Sequence, residues 1–401
     1  MELSSGLPYS LIKNGLMYDY PNLEHSLQAE VVILGGGISG ALSAYYLSKA
    51  GFDCVVIDAR SIGTGSSCAS TSLLQYEIDV PLIDLQKKIG NTKAVRSYDL
   101  CAEAILKLKD IANDIEFKDF QLKNSLYYAA NKKHVSFLKE EYQARKNNNF
   151  EVTLLDGNEV QNEYGFKAPA AILSELGGQT NAYAFAHMLH QYNLRNGCKI
   201  FDHTKITKIK HSPDGVQLKT ENNHVIKAKK LVYATGYEVV NFINKKIVDL
   251  NSTYVTISQH TSTGKIFWKD DVLLWNTNDP YMYLRTTHDG RIMVGGKDEK
   301  FYNPARRDKL ISTKSKELKK DFNNLFPEID FNREFSWTGT FGTTKDGLPF
   351  IGPYKSLPNS FFSLGFGGNG ITFSLIAAEI ITDLISGKVN ADAKIFAFER
   401  V

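Results

Sequence analysis

The sequence has almost no surplus of charge of either sign. Its 401 residues contain 47 Lys and Arg against 44 Asp and Glu, which gives a formal net charge of +3 at pH 7. Proteins that bind nucleic acid or an anionic membrane through charge carry a clear basic excess or a basic patch. The composition therefore gives no reason to expect a nucleic acid partner or an anionic membrane surface.

Cysteine is also scarce, and its spacing excludes two classes of protein. The four cysteines, Cys54, Cys68, Cys101 and Cys198, form no C-x-x-C pair and have no cluster of histidines beside them. This pattern argues against a zinc site and against a disulfide framework, so we predict no metal and a reducing, cytoplasmic environment.

Long apolar runs are missing as well. A helix that spans a bilayer needs about 20 predominantly apolar residues, and every apolar run here is shorter than that. The first 30 residues include Lys13, Asp19 and Glu24, which is not the pattern of a signal peptide. We therefore expect a soluble protein with no integral membrane segment.

A nucleotide-binding pattern lies at residues 29–60, AEVVILGGGISGALSAYYLSKAGFDCVVIDAR. The apolar run Val31 to Leu34 predicts a strand buried on both faces, and the G-x-G-x-x-G of Gly35, Gly37 and Gly40 follows it. The first glycine allows the tight turn, the second lets a pyrophosphate approach the backbone, and the third lets the next helix pack on the strand. The N-terminus of that helix, with its unpaired backbone amides, is a favourable binding site for phosphate.

Asp58 follows a second buried strand, about 20 residues beyond the glycines, where a carboxylate binds a nucleotide ribose. An acidic residue at this place favours FAD or NAD over NADP. The glycine motif alone is a weak signal, but strand, loop, helix, strand and acid in one register are a strong one.

Three later segments favour FAD over NAD, although an NAD-dependent dehydrogenase stays open as the alternative. Residues 59–75 are rich in Gly, Ser and Thr where an NAD-binding fold would enter a helix, though a flexible surface loop is also compatible with this composition. Residues 229–238 contain a buried strand that ends in Thr235-Gly236, which predicts a discontinuous nucleotide domain. A hairpin around Asp214-Gly215 precedes it, with Ile206 on one of its strands.

The third segment is a second glycine-rich loop, FSLGFGGNGITFS at residues 362–374. It precedes a helix, and a helix N-terminus stabilises negative charge. A reduced flavin carries negative charge far from its pyrophosphate, so two such loops are consistent with the two ends of one long cofactor.

At this point the sequence resembles the FAD-dependent amino acid and amine oxidoreductases, the D-amino-acid oxidase and sarcosine/glycine oxidase group. The resemblance depends on GGGISG (35–40), DAR and GTGSS (58–67), ATG (234–236), DGLPFIGP (346–353) and GFGGNGITFS (365–374), in this order. It implies an α/β fold: a Rossmann-like FAD-binding domain assembled from discontinuous segments, and a substrate domain of α+β type built on an antiparallel sheet.

This interpretation gives residue boundaries and a set of cofactor contacts. We predict that residues 28–94, 177–240 and 336–395 form the FAD-binding domain, that residues 95–176 and 241–335 form the substrate domain, and that residues 1–27 are an N-terminal arm. The predicted cofactor-binding residues are Gly35, Gly37, Ile38, Ser39, Gly40, Asp58, Ala59, Arg60, Gly65, Ser66, Ser67, Ser72, Ile206, Ala234, Thr235, Gly236, Gly365, Gly367, Gly368, Asn369, Gly370 and Ile371.

The sequence also departs from the family pattern. Many amino acid oxidases of this family carry an arginine shortly before D-G-L-P, where it binds the substrate carboxylate, and here Phe341 and Gly342 stand in its place. Covalent members attach the flavin through a cysteine of the same region, and residues 337–349 contain none, so we predict non-covalent FAD. Arg285 is our first candidate for a replacement carboxylate ligand, and a structural ion pair is the alternative role for it. Tyr283 and Lys345 are lesser candidates.

The predicted reaction is oxidation of the C–N bond of an amino acid or amine, by hydride transfer from the carbon to flavin N5 and hydrolysis of the imine. The electron acceptor is oxygen or unknown. Sarcosine-oxidase-like members place a lysine over the flavin, and Met293 stands near the matching place, which favours a dehydrogenase or a slow oxidase. A flavoprotein whose role is binding or assembly is the second alternative.

Overall fold

The fold is built on two β-sheets, seen in a computed structural model that describes residues 1–243, 246–260 and 267–400. Strands and helices are numbered along the chain. Among the described residues, eight strands form the smaller sheet: β2 (Leu27–Leu34), β3 (Cys54–Ile57), β8 (Lys199–Phe201), β9 (Ile206–Ser212), β10 (Gly215–Thr220), β11 (Val225–Tyr233), β17 (Phe350–Pro353) and β18 (Ser360–Leu364).

The centre of this sheet is parallel, in the order β18-β11-β2-β3-β8. Val31 and Ile33 of β2 face a core shared with helices, whereas Val32 and Leu34 face a core shared with β10 and β18. Both faces of the strand are therefore covered, which explains its continuous apolar run. The predicted hairpin at Asp214-Gly215 is confirmed, because β9 and β10 pair there.

Ten strands of the described part of the chain form the larger sheet. They are β1 (Ser4–Gly6), β4 (Leu73–Gln75), β5 (Phe120–Tyr128), β6 (Val152–Asp156), β7 (Ala170–Thr180), β12 (Asp249–Ser258), β13 (Leu273–Asn276), β14 (Tyr283–Thr286), β15 (Ile292–Glu299) and β16 (Arg333–Thr343). The sheet is antiparallel, as expected, except that β13 pairs with β5 in parallel. The long stretch of chain between these two strands allows the crossover that a parallel pair needs.

The α-helices of the described residues cover both sheets. They are α1 (Tyr9–Asn14), α2 (Ile38–Lys49), α3 (Ser66–Ala69), α4 (Leu82–Ile89), α5 (Asn91–Asp114), α6 (Val135–Asn147), α7 (Gly157–Tyr164), α8 (Ala182–Arg195), α9 (Pro304–Lys309), α10 (Ile311–Leu325), α11 (Gly370–Ile385) and α12 (Ala393–Phe396). Helix α2 packs between α8 and α11 on the smaller sheet, and α10 packs on β12 and β15 of the larger one.

The chain crosses between the two sheets several times. Residues 73–75, 177–180 and 336–343 pair within the larger sheet, although the sequence interpretation grouped them with the FAD-binding segments. Strand β1, from the expected N-terminal arm, pairs with β16. The residue boundaries of the two domains stay a prediction.

No helix within the described residues combines the length and the apolarity that crossing a bilayer requires.

Candidate functional site

The first glycine loop connects the end of β2 to the start of α2. Gly35 has φ +111°, and a Cβ there would lie 2.4 Å from the carbonyl oxygen of Ala234. A Cβ on Gly40 would lie 1.9 Å from the carbonyl oxygen of Gly35. Both positions therefore require glycine, because any side chain would separate the helix from the strand or the loop from β11.

Asp58 lies at the end of β3 and supports this loop. Its Oδ2 accepts a hydrogen bond of 2.7 Å from the amide of Gly36, and its Oδ1 accepts one of 3.0 Å from the amide of Arg60. Burial raises the pKa of the Asp58 carboxyl, and the two amide donors oppose this effect. The carboxylate is thus held at the mouth of the loop, where the sequence interpretation placed a ribose contact.

His190 of α8 supports the loop from behind, and the sequence offered no signal for it. Its Nε2 lies 3.0 Å from the carbonyl oxygen of Gly36, 154 positions away in the chain. Burial lowers the pKa of His190 to about 3, so the ring is neutral at pH 7. Since a carbonyl only accepts, the neutral ring donates from Nε2.

Residues 59–75 wrap around the loop. The Oγ of Ser67 accepts a hydrogen bond of 3.0 Å from the amide of Ile38, the first residue of α2. A Cβ on Gly37 would lie 2.9 Å from the same Oγ. The guanidinium of Arg60 pairs with Glu238 at 3.0 Å, and the Oγ of Ser72 accepts from the amide of Ala182 at 3.2 Å.

The second glycine loop precedes α11 and is held by three contacts. Tyr237 donates to the carbonyl oxygen of Gly367 at 2.9 Å, and the amide of Gly367 donates to the carbonyl oxygen of Gly342 at 3.0 Å. The amide of Gly368 donates to Oδ2 of Asp79 at 2.6 Å. The loop is therefore held in place before α11 begins at Gly370.

Both loops line one cavity of about 400 Å³, a volume within the usual range for ligand sites. The loops after β2, β3 and β11 reach it together because the carboxyl ends of adjacent parallel strands meet at one edge. Twenty of the 22 predicted cofactor residues line the cavity: Gly35, Gly37, Ile38, Ser39, Asp58, Ala59, Arg60, Gly65, Ser66, Ser67, Ser72, Ile206, Ala234, Thr235, Gly236, Gly367, Gly368, Asn369, Gly370 and Ile371.

Gly40 and Gly365 do not line the cavity. Gly40 faces the carbonyl of Gly35, and a Cβ on Gly365 would lie 2.8 Å from the Cγ2 of Thr344. Both glycines allow the close approach of neighbouring backbone or side chains. That the twenty lining residues contact the cofactor stays a prediction.

Aromatic side chains line the cavity wall formed by the larger sheet. The ring centroids of Trp275 and Tyr281 are 6.2 Å apart, and those of Tyr281 and Tyr283 are 5.7 Å apart. Tyr283 lies on Gly295, where a Cβ would be only 2.3 Å from the ring. Tyr283 was a predicted site residue, whereas Trp275 and Tyr281 were not singled out.

Arg285 does not line the cavity, so its expected role as a carboxylate ligand is not supported by its position. Its guanidinium donates to the backbone carbonyls of Thr71 at 2.5 Å, Thr286 at 2.9 Å and Thr180 at 3.3 Å. Arg285 shares a face of β14 with Tyr283, as the alternation of a strand requires, but the segment through Thr71 covers it. Its side chain positions this segment.

The other candidates for a cation also lie off the cavity wall. Lys345 is not among the residues that line it. Met293, which pairs with Arg285 across β14 and β15, is 2% exposed in a small core with Val255 and Trp337. Among the described residues that line the cavity, the cations are Arg60 and Lys205. Arg60 follows Asp58 by two positions, and Lys205 follows Thr204, whose amide donates to the carbonyl oxygen of Asp58 at 2.8 Å.

Two carboxylates accompany the aromatic side chains. Oδ1 of Asp79 accepts a hydrogen bond of 3.0 Å from the hydroxyl of Tyr281. Oδ1 of Asp298 is shielded from solvent and has no hydrogen-bond partner among the described residues. Burial, with the charge of Asp79 as a further contribution, raises the pKa of Asp298 to about 7. Sequence reasoning missed both residues.

Cys68 lies beside the cavity but is not activated. Its thiol donates to the carbonyl oxygens of Gly65 at 3.1 Å and Thr64 at 3.4 Å. Burial raises its pKa to about 11, so the thiolate is rare at neutral pH. No group of three or more His, Cys, Asp or Glu side chains in the described part of the chain is arranged to hold a metal ion.

The cavity suits FAD by its shape and by its donors. One continuous space is lined by two glycine loops, each of which precedes a helix, and Gly35 and Gly37 expose backbone rather than side chains to it. This combination defines a dinucleotide-binding oxidoreductase fold with a second anion-stabilising helix start.

Comparison with known proteins places the chain in a family. Residues 30–384 match the family model described as "DAO: FAD dependent oxidoreductase", and the chain belongs to this family. The cofactor is therefore FAD, and the alternative of an NAD-dependent dehydrogenase is wrong.

Relatives and solved structures agree with this assignment. The chain is 24% identical to gamma-glutamylputrescine oxidoreductase of Escherichia coli K12, over 92% of this chain and 86% of the relative. It is 23% identical to glycine oxidase of Bacillus licheniformis, over 92% of this chain and 96% of the relative. The crystal structure of glycine oxidase from Geobacillus kaustophilus has the same fold, with a TM-score of 0.77 at 18% identity, over 93% of this chain and 99% of that one.

Proposed function

We propose that this protein oxidises the C–N bond of an amine or amino acid with FAD as its electron acceptor. The observation that carries the proposal is the continuity of one cavity, from the first glycine loop and Asp58 to the aromatic wall of Tyr281 and Tyr283. The relatives named above include oxidoreductases of an amine and of glycine by their names. FAD, when bound, supplies the acceptor for a hydride from the carbon next to the substrate nitrogen.

The residues of the first loop hold the dinucleotide part of the cofactor in this proposal. The amides at the start of α2 face the pyrophosphate, and the Asp58 carboxylate faces a ribose. Ser67 and His190 hold the loop through Ile38 and Gly36. The loop before α11 stabilises negative charge at the opposite end, since the first amides of a helix have no partner within the helix.

The larger sheet positions the substrate and excludes water. Burial raises the pKa of Tyr283 far above its ordinary value, so its phenol stays neutral and acts as a hydrogen-bond donor and apolar wall. Loss of a hydride from the neutral amine leaves an iminium ion, which releases its N–H proton to solvent to give an imine. Water then hydrolyses the imine to a carbonyl compound and a free amine or ammonia. Positioning and exclusion of water, rather than acid–base groups, are the contribution of the chain.

The electron acceptor that reoxidises the flavin is, in our proposal, a partner other than oxygen, or oxygen at a low rate. One-electron reduction of oxygen produces an anion, which a nearby cation stabilises. The residues that line the aromatic end of the cavity include Asp79 and Asp298. The Lys and Arg side chains among the described lining residues lie near Asp58, away from this end. Readmission of air to a reduced sample measures this rate directly.

The proposed function is tested by anaerobic mixing of the purified yellow protein with amino acids, N-methyl amino acids and amines. Loss of the oxidised flavin absorbance with at least one of them is the expected result. Dithionite serves as a control, since it reduces the flavin without a binding site for the substrate. A flavin that dithionite bleaches and no amine bleaches would favour the alternative of a binding or assembly role.

We further propose a cytoplasmic location. The proposal is supported by the four cysteines, all of which are free and buried in the structure. Cell fractionation with antibodies against the protein tests it.

A further inference from the structure

The aromatic end of the cavity is lined by the carboxyl groups of Asp79 and Asp298 and has no cation among the described residues of its wall. We propose that the substrate is a diamine or polyamine without a carboxylate, whose second, protonated nitrogen is bound by Asp298 and the adjacent aromatic rings. This inference rests on the proposed function and names the substrate class of the same site.

The first observation is the position of the cations. Lys205 is exposed and pairs with Glu221 at 3.2 Å, and Arg60 pairs with Glu238 at 3.0 Å. Both flank the loop end of β3, because the amide of Thr204 donates to the carbonyl oxygen of Asp58 at 2.8 Å. A carboxylate in the aromatic end would therefore lose its hydration without gaining a charged partner, which disfavours its binding there.

The second observation is the unsatisfied oxygen of Asp298. Its Oδ1 is shielded from solvent and accepts no hydrogen bond from the described residues. Asp79 differs, because its Oδ1 accepts from Tyr281 and its Oδ2 from the amide of Gly368. Asp298 lines the cavity through its other atoms, so rotation of the carboxyl group about its Cβ–Cγ bond would bring the unpaired oxygen to a ligand N–H. Such a bond would satisfy an acceptor that the protein leaves free, and an unpaired buried acceptor is costly.

The third observation is the negative balance of the surrounding charges. Glu77 also lines the cavity, but it pairs with the fully buried Arg145 at 3.0 Å, and Arg145 pairs in addition with Glu141 at 2.8 Å. One cation therefore balances two carboxylates, and Asp79, Asp298 and Asp279 add to the excess. Lys314 acts on Asp298 in the opposite sense, but it is paired with Glu299 at 2.6 Å. Since Asp79 contributes to the raised pKa of Asp298, a protonated amine between them would relieve this repulsion.

The fourth observation is the aromatic wall. Trp275, Tyr281 and Tyr283 form a continuous row, with centroid separations of 6.2 and 5.7 Å. Aromatic faces attract an ammonium group through the negative charge of the ring face, and the attraction grows when water is excluded. Aromatic rings beside a carboxylate oxygen without a hydrogen-bond partner stabilise a bound cation. They do not stabilise the carboxylate of a ligand.

Three ligands of matched length test the inference on the FAD-loaded protein: 1,4-diaminobutane, butylamine and 4-aminobutanoate. We expect flavin reduction with 1,4-diaminobutane to have a kcat/KM at least tenfold above that with butylamine, and 4-aminobutanoate to be the poorest of the three. In Asp298→Asn, the ratio of diamine to butylamine should fall towards one. Asp110→Asn, an exposed residue of α5, is the matched control and should keep the wild-type ratio.

A binding assay separates recognition from turnover. Both nitrogens of 2,5-dimethylhexane-2,5-diamine are bonded to carbons without hydrogen, so this diamine cannot lose a hydride. We expect it to raise the thermal unfolding temperature of the FAD-loaded wild type, and to do so less in Asp298→Asn. tert-Butylamine, with one nitrogen, should have a smaller effect on the wild type.

The outcomes distinguish this inference from the proposed function. Reduction of the flavin that is fastest with 4-aminobutanoate, or equal with butylamine and the diamine, would overturn the inference and leave the proposed function intact. No reduction by any amine would overturn the proposed function, and stabilisation by the non-oxidisable diamine would still support cation recognition. If Asp298→Asn fails to fold, the wild-type order of the three ligands decides.

Discussion

The backbone amide of Gly36 donates a hydrogen bond of 2.7 Å to Oδ2 of Asp58, across 22 positions of sequence. The contact joins the loop after β2 to the end of β3, two neighbouring parallel strands. It means that the carboxylate that faces the predicted ribose also shapes the loop that faces the predicted pyrophosphate. Loss of this side chain should therefore weaken cofactor binding in two ways: it removes the predicted ribose ligand, and it removes a support of the loop that faces the predicted pyrophosphate.

We expect Asp58→Ala to weaken FAD affinity by roughly 10- to 100-fold, or about 1.4 to 2.8 kcal/mol. Fluorescence titration of the apoprotein with FAD measures it. Asp53→Ala is the matched control, because Asp53 precedes the same strand and makes only an exposed ion pair of 3.4 Å with Lys199. An Asp58→Ala protein that binds FAD as tightly as the control would contradict this role.

The flavin should be released when the protein is denatured. Residues 337–349 contain no cysteine, and the four cysteines of the chain are buried, with Cys68 as the one nearest to the first loop. Acid precipitation followed by absorbance of the supernatant measures the released fraction, and we expect all of the flavin there. Flavin that remains on the precipitated polypeptide would show a covalent bond and contradict the prediction of non-covalent FAD.

The cofactor end of the site could be predicted from the sequence because its parts are local. Gly35, Gly37 and Asp58 lie on consecutive strand ends, and parallel neighbours bring such ends together without knowledge of the rest of the fold. The second loop could be recognised for the same reason. A glycine run directly before a helix with apolar residues at helical spacing is visible within one short stretch of sequence.

The substrate end could not be predicted in the same way. Asp79 and Tyr281 are hydrogen-bonded across 202 positions. Alternation along β14 places Arg285 and Tyr283 on one face, but whether that face is open depends on the segment through Thr71. Such coverage follows from tertiary packing, which no local pattern reports.

Arg285→Ala should destabilise the protein and leave substrate selectivity unchanged. The guanidinium is buried and donates to three backbone carbonyls, so its removal leaves buried acceptors unpaired and creates a cavity. We expect a loss on the order of 2–4 kcal/mol in the free energy of unfolding, measured with urea. The control Arg306→Ala removes an exposed arginine and should cost little. A rise of KM confined to carboxylate-bearing substrates, at unchanged stability, would show that Arg285 binds the substrate carboxylate.

Gly295→Ala should alter substrate binding and spare FAD. A Cβ on Gly295 would lie 2.3 to 2.5 Å from atoms of the Tyr283 ring, so the ring must move away from its position on the cavity wall. We expect KM to rise several-fold at unchanged FAD affinity. A double-mutant cycle checks the cause: in a Tyr283→Ala background the Gly295→Ala change should have little further effect. Equal effects of Gly295→Ala in both backgrounds would show that Tyr283 does not mediate them.

The last expectation concerns Asp298 and pH. Burial raises the pKa of its carboxyl from an ordinary value of 3.8 to about 7. At a pH between these two values, the carboxyl is protonated in the folded protein and ionised in the unfolded chain. Stability due to this group therefore falls as pH rises from about 4 to about 7 and is level above that. We expect Asp298→Asn to exceed the wild type at pH 8 by on the order of 2–4 kcal/mol, and the difference to vanish towards pH 4.

Urea unfolding with saturating FAD at pH 5, 6, 7 and 8 measures this difference, and Asp110→Asn serves as the control that should follow the wild type throughout. The same carboxylate that destabilises the fold at pH 8 is the one that we propose to bind a protonated amine. A saturating non-oxidisable diamine should therefore return most of the lost stability to the wild type at pH 8, and little to Asp298→Asn. A pH-independent difference between the two proteins would mean that Asp298 is already ionised and satisfied without a ligand, and the argument for a cation site would lose its strongest support.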